Sequence, residues 1–172
     1  MARQSEPRVT LILGGARSGK SRHGESLIAA LPPPWIYVAT AEAWDEEMRA
    51  RIAKHRARRD ARWQTVEAPL DLPGALQAAG EAPVLVDCLT LWLTNLMLGE
   101  QDTVAAAESL LAALETRTAA TVLVANEVGL GIVPEHRLGR DFRDQAGLLH
   151  QRIAARADRV LFMVAGLPMV VK

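Results

Sequence analysis

The chain has 172 residues, 49% of them hydrophobic, which is enough for one domain with a proper core and too apolar for a disordered chain. Lys and Arg together number 20, as do Asp and Glu, so the formal charge is zero; nothing global draws the chain to nucleic acid or an anionic membrane, and any hold on anions must be local. A single cysteine, Cys88, excludes an intrachain disulfide and a multi-cysteine zinc site, and it suits a reducing cytoplasm.

The opening "MARQSEPRVTLILGG" holds a short apolar run that ends in glycines rather than in a small-residue cleavage site. It reads as a first strand, "VTLILGG", and not as a signal peptide. No apolar stretch is long enough to span a bilayer. A helix is expected from Lys20 to about Ala30, stopped by the rigid connector "LPPPW". "WIYVAT" is the second strand. Residues 44 to 60 read as a helix with acidic residues at the front and arginines at the back, an order that complements the helix macrodipole.

"WQTVEA" is a short strand and "DLPGALQAAG" a short helix closed by Gly80. "PVLVDCLT" is a buried strand ending in Asp87, followed by helical "LWLTNLML" and "TVAAAESLLAALETRT". "ATVLVANEVG" is a strand running into a loop, and "RDFRDQAGLLHQRIAARA" is a helix. "DRVLFMVAG" is a late strand and "PMVVK" a short edge strand. Strands alternating with helices predict an α/β fold, a mostly parallel sheet flanked by helices, in a single domain over residues 1–172.

"GGARSGKS" fills every position of the phosphate-binding pattern G-x-x-x-x-G-K-[ST]: Gly14, Gly15, Ala16, Arg17, Ser18, Gly19, Lys20 and Ser21. It follows an expected strand and opens an expected helix, the context that gives the pattern its meaning. Glycines let the backbone curl so that successive N–H groups face one anion, and the helix N-terminus adds partial positive charge. Lys20 is the group to reach the β- and γ-phosphates, and the Ser21 hydroxyl is a ligand for Mg²⁺. Asp87, a carboxylate after the four-residue apolar run "PVLV", is expected at the C-terminal edge of the sheet as the second metal ligand. As the residue before "CLTLWLTNL" it also suits a helix N-cap, and the two roles are compatible. These parts predict a nucleoside triphosphatase or kinase and leave the acceptor open.

"LILGGARSGKSRHGESL", "YVATAE", "DEEMRARIAKHR", W-x-T-V-E, "VDCLTLWLTNLM" and "ANEVGLGIVPEHRLGRDFRDQAGLLHQRIAARADRV" occur in that order. Together they resemble the bifunctional adenosylcobinamide kinase/adenosylcobinamide-phosphate guanylyltransferase family of cobalamin biosynthesis, over nearly the whole chain. The resemblance implies a RecA-like P-loop domain and a cytoplasmic homotrimer. It implies ATP or GTP as donor for phosphorylation of adenosylcobinamide, and GTP as donor of GMP through a guanylyl-histidine. The histidine of the matching segment is His55. The nucleotide contacts implied are Gly14 to Ser21, Thr40, Ala41 and Glu42, then Arg56, Ala57, Arg58 and Arg59, and Glu67 and Asp87.

On spacing alone, the histidine in "RIAKHRARRD" is a member of a solvated helix face. The resemblance gives its basic surroundings a purpose. Nearby cations disfavour the protonated imidazole and so favour the nucleophile, and they can hold the triphosphate and the leaving pyrophosphate. His23 is open to a phosphate contact or a structural role, while His136 and His150 are assigned to surface or packing. Asn126 and Glu127 are expected at the same sheet edge as Asp87, opening a loop with Gly129 and Gly131 that lines either the corrinoid site or a subunit interface. Trp35, Trp44, Trp63 and Trp92 are assigned to packing or an interface. Two other readings compete: a monofunctional P-loop small-molecule kinase, which does not need His55, and a non-catalytic nucleotide-dependent regulatory module. Zero net charge and few aromatics weigh against an extended nucleic-acid surface.

Overall fold

The computed structural model describes residues 7–42, 46, 50, 53, 57 and 59–172. Seven strands lie in one sheet: β1 (Val9–Gly14), β2 (Trp35–Ala39), β3 (Trp63–Glu67), β4 (Val84–Asp87), β5 (Thr121–Asn126), β6 (Arg159–Val164) and β7 (Leu167–Val170). Their order across the sheet is β3-β2-β4-β5-β1-β6-β7. Every neighbouring pair is parallel except β6 and β7, which pair antiparallel. The described helices are α1 (Lys20–Ala29), α2 (Leu72–Ala78), α3 (Leu89–Leu98), α4 (Thr103–Thr116) and α5 (Arg137–Arg156). Glu46, Ala50, Ala53 and Ala57 are also helical and exposed, whereas Arg59 and Asp60 are not helical, so the helix expected to reach residue 60 ends before it.

The central strands are apolar on both sides because both faces of the sheet are covered. Side chains alternate between faces along each strand. Val9, Leu11, Ile36, Val38, Val84, Val86, Leu123 and Ala125 share one core with residues of α2, α3, α4 and α5. Ile12, Trp35, Tyr37, Leu85, Val122, Val124 and Met163 share the other core with Ile28 of α1. Gly24 lets α1 sit close to this second face: a Cβ there would lie 2.8 Å from Leu85 Cδ1.

Local chemistry sets the helix ends. Asp71 caps α2 by accepting from the Gly74 amide, with Pro73 in the first turn, where proline costs no hydrogen bond. Asp102 caps α4 by accepting from Val104 and Ala105. The "LWLTNLML" helix proves to be buried within the fold, with Leu89, Thr90, Trp92, Leu93, Asn95 and Leu96 all inside. Trp35 and Trp92 are buried, each donating its indole N–H to a backbone carbonyl, of Leu31 and Leu70 respectively. Trp63 packs against Trp35 at 5.3 Å between ring centroids, and Trp44 lies outside the described residues.

Arg117, just past α4, is buried and ties together three pieces of chain. It donates to the carbonyls of Leu76, Gly80 and Ala82 around the end of α2 and to the Thr121 hydroxyl at the start of β5. Arg117→Ala would strand these acceptors and open a cavity, at an expected loss of about 3 kcal/mol or more. Urea unfolding checks this as a lower midpoint with unchanged slope.

The buried stripe of α5, Ala146, Leu149, His150 and Ile153, follows helical spacing and gives His150 the packing role expected of it. Burial holds the His150 imidazole below its ordinary value, with the Glu127 carboxylate opposing the shift. An unfolded histidine titrates near about 6.5, so just below that pH the unfolded chain binds more protons than the folded one. Stability is therefore expected to fall as pH drops through about 6.5. His150→Leu should flatten this acid limb, leaving a residual slope from His23, whose imidazole is also held low by burial and by Arg159. Urea unfolding of both proteins across that pH range measures the difference.

Candidate active site

β1 feeds directly into the phosphate loop. Gly14 ends the strand at a φ of 153°, and a Cβ on it would lie 2.8 Å from both the Met163 carbonyl and Ser18 Oγ. Gly19 is left-handed at a φ of 96° and occupies the N-cap of α1. Gly15, Ala16 and Arg17 are exposed at the crown of the loop, and Ser18, Gly19 and Ser21 are half-buried. Lys20 is buried, and its ammonium turns back to donate to the Gly15 carbonyl and to Ser18 Oγ at 3.3 Å. The loop is thus curled around its own lysine. The turn between β6 and β7 supports it from behind, as the Gly166 amide donates to the Ser18 carbonyl at 3.0 Å.

Asp87 ends β4 at the same sheet edge. β5 stands between β4 and β1, so two strand spacings, about 10 Å, separate the Asp87 strand from the loop strand. Asp87 pairs in register with Val124, which pairs with Ile12, two residues before Gly14. The helix-cap role expected for Asp87 is not what the fold uses: Cys88 is the N-cap of α3 and makes no side-chain cap bond. The Asp87 carboxylate instead accepts from the Tyr37 hydroxyl, 2.9 Å from Oδ2. Burial, and next the Asp87 charge, push the Tyr37 phenol far above its ordinary value, so it stays a donor at any working pH.

Thr40 is fully buried and all its polar groups are engaged. Its hydroxyl donates to the Cys88 carbonyl at 2.7 Å and accepts from the Cys88 amide at 2.9 Å. Its own amide donates to the Asp87 carbonyl, and its carbonyl accepts from Asn95 Nδ2. These bonds pin the end of β2 to the Asp87–Cys88 turn. Ala41 and Glu42 are half-buried just beyond it.

Glu67 ends β3, in register with Ala39, which is in register with Asp87. It is exposed on the edge strand, four strand spacings or roughly 19 Å from β1. The expected nucleotide contacts thus fall into two groups, one around the loop and Asp87 and one over the β2–β3 edge. Arg59 lies between the groups. Its guanidinium carbon sits 3.4 Å from the centroid of the Tyr37 ring, a desolvated cation–π contact that stabilises by about 2 kcal/mol. Its side chain is 5% exposed, and Nη1 is 3.9 Å from the Glu25 carboxylate of α1. Its Nε and Nη1 groups are buried with no hydrogen-bond partner among the described residues. Ala57 is helical and exposed; His55, Arg56 and Arg58 lie outside the described residues.

Asn126 and Glu127 reach the same edge. Asn126 is in register with Gly14 and donates through Nδ2 to Thr90 Oγ1 at 3.1 Å, while the Glu127 amide donates to the Gly14 carbonyl at 2.9 Å. The loop that follows exposes Leu130, Ile132 and Val133. His136 is exposed at the N-cap of α5 and His23 is half-buried in α1.

Tyr37 is the residue the sequence reading passed over. Its signal was present: a lone tyrosine in a buried strand needs an acceptor for its hydroxyl, and strand alternation puts it on the Asp87 face.

Among the described residues no group of three or more His, Cys, Asp or Glu is placed to hold a metal ion. Mg²⁺ at a phosphate loop asks for less, one or two protein oxygens besides water and phosphate. Ser21 and Asp87 fit that need. The described hydrogen bond to Asp87 occupies Oδ2, leaving Oδ1 open.

Comparison with known proteins agrees with this geometry. The P4 protein from bacteriophage phi6, solved in complex with ADP, superposes over 98% of this chain and 56% of its own, with a TM-score of 0.50 and 17% identity. That likeness concerns the fold alone, a mostly parallel sheet flanked by helices. The bifunctional adenosylcobalamin biosynthesis protein CobP of Pseudomonas aeruginosa is 54% identical over 94% of this chain and 96% of its own length. Its counterpart CobU of Salmonella typhimurium is 44% identical over 94% of this chain and 98% of its own. The family model described as cobinamide kinase / cobinamide phosphate guanyltransferase matches residues 10–171, from the first strand of the loop to the last strand behind it. With the family model matching residues 10–171 and relatives 54% and 44% identical over 94% of the chain, the chain belongs to the cobinamide kinase / cobinamide phosphate guanyltransferase family.

Proposed function

We propose that this chain phosphorylates adenosylcobinamide with ATP or GTP, then transfers GMP from GTP to the product, giving adenosylcobinamide-GDP in cobalamin biosynthesis. The observation that carries the reading is the family match over residues 10–171, together with a complete phosphate loop at its start. One domain over residues 1–172 performs both steps.

In the first step the loop amides and Lys20 bind the triphosphate; the substrate hydroxyl attacks the γ-phosphorus and gives up its proton, the bond from that phosphorus to the β-phosphate oxygen breaks, and the nucleoside diphosphate leaves. Ser21 and Asp87 would hold Mg²⁺, which would supply charge neutralisation to the triphosphate when bound. In the second step the neutral His55 imidazole attacks the α-phosphorus of GTP. The bond to the β-phosphate oxygen breaks and pyrophosphate leaves. A phosphate oxygen of adenosylcobinamide phosphate then attacks the same phosphorus, the P–N bond breaks, and His55 is free again. Arg56, Arg58 and Arg59 hold the triphosphate and stabilise the leaving pyrophosphate, with Thr40, Ala41, Glu42, Ala57 and Glu67 completing the nucleotide site.

The loop after Glu127 faces the acceptor. Its support is its position, since Glu127 bonds the Gly14 carbonyl and Leu130, Ile132 and Val133 offer apolar surface to a bulky ring. The enzyme works as a homotrimer in the cytoplasm without a nucleic-acid partner. The exposed apolar residues Val164, Leu167, Met169 and Val170 of the β6–β7 hairpin support a contact between subunits. No described helix is long and apolar enough to cross a membrane.

The test is product analysis. Adenosylcobinamide with ATP alone should give adenosylcobinamide phosphate, and with GTP it should give adenosylcobinamide-GDP and pyrophosphate. Phosphate transfer without adenosylcobinamide-GDP under any nucleotide would reduce the protein to a kinase. No transfer by a protein that binds GTP would remove both activities.

A further inference from the structure

We propose that Tyr37 is a positioning residue of the metal site: its hydroxyl orients the Asp87 carboxylate, and Arg59 stacked on its ring couples that orientation to the segment carrying His55. The inference rests on the proposed role of Asp87 at Mg²⁺ and goes beyond it.

Four observations meet here. Tyr37 and Asp87 project from the same face of neighbouring strands, and the hydroxyl donates to Oδ2 at 2.9 Å. A carboxylate turns easily about its terminal torsion, which is broad and nearly two-fold, so one fixed donor decides which oxygen faces the crevice. The strand that carries Tyr37 is itself fixed, because Thr40 bonds both the amide and the carbonyl of Cys88. On the other side of the ring, Arg59 lies 3.4 Å from the centroid with its side chain buried, and it approaches Glu25 of the loop helix.

Arg59 belongs to the connection between β2 and β3, the same connection that contains His55. The metal site that serves phosphoryl transfer and the basic segment that serves guanylyl transfer are thus linked through one phenol.

The test uses the full chain with GTP and Mn²⁺ as the metal probe, read by electron paramagnetic resonance. Tyr37→Phe keeps the ring and the Arg59 stack and removes only the hydroxyl. It is expected to weaken Mn²⁺ binding to the GTP complex about tenfold, while GTP affinity in EDTA stays as in the wild type. Arg59→Lys should weaken Mn²⁺ binding in the same direction by less. Unchanged Mn²⁺ affinity in Tyr37→Phe overturns the proposal.

Should Tyr37→Phe fail to fold, 3-fluorotyrosine incorporation decides instead, because Tyr37 is the chain's one tyrosine and gives a single fluorine signal. That signal should move when Mg²⁺ is added to the GTP complex; a signal that ignores Mg²⁺ overturns the proposal. The two readings fail separately. A protein with this metal behaviour but no adenosylcobinamide product keeps Tyr37 and loses the proposed function. An active enzyme whose Tyr37→Phe variant binds Mn²⁺ normally does the reverse.

Discussion

Lys20→Ala is expected to lower kcat/KM for phosphorylation of adenosylcobinamide by about 10³-fold, about 4 kcal/mol of transition-state stabilisation. The lysine is buried in the loop, and its ammonium bonds the Gly15 carbonyl and the Ser18 hydroxyl. In a nucleotide complex phosphate oxygens would take over from these acceptors, so the cation is stored where the charge will develop. Guanylyl transfer should fall as well, because the same triphosphate must be held for attack at its α-phosphorus. The fold should survive, since the hydrophobic cores on both faces of the sheet are untouched. Steady-state kinetics with ATP and GTP, beside circular dichroism, check the result. Phosphorylation at the wild-type rate would mean that the loop is not the donor site.

His55→Ala is expected to separate the two reactions. Guanylyl transfer should drop by more than about 10³-fold, because a lost nucleophile has no substitute in the site. Phosphorylation should stay within about threefold, because the loop, Lys20 and Asp87 are intact. Adenosylcobinamide phosphate should therefore accumulate in the presence of GTP, and chromatography of the products would show it. The assignment of His55 rests on the "DEEMRARIAKHR" match and on the chemistry of an imidazole among arginines. Loss of both products together would point to a structural role instead.

Much of this fold was legible because its strands are covered on both sides. Near-continuous apolar runs such as "VTLILG" and "VLVD" announce buried parallel strands, and the loop pattern fixes where the first helix begins. The order of the strands was not legible. Nothing in the sequence says that β5 inserts between β1 and β4, because that choice depends on how the connecting helices pack. The burial of "LWLTNLML" rests on Asn95 and Trp92 as well as its leucines, because their polar groups bond to backbone from distant segments.

At the site, the loop residues could be read by pattern because backbone geometry demands glycine there. The four bonds of Thr40 to Asp87, Cys88 and Asn95 could not, since a threonine at a strand end serves a ligand or the backbone equally well. Tyr37 was hidden for a related reason. Its ring belongs to the core while its hydroxyl belongs to the site, and hydrophobic patterning registers only the ring.

The central claim, one chain with two chemistries, is tested most directly by covalent labelling with GTP carrying radiolabel at the α-phosphate. The protein would be denatured, tested for acid lability and alkali stability, and digested. The account predicts an acid-labile, alkali-stable label from α-labelled and not from γ-labelled GTP, on the peptide containing His55, and absent from His55→Ala. Protein that binds GTP and phosphorylates adenosylcobinamide yet takes no α-label would contradict it, leaving a kinase whose basic segment is a solvated surface.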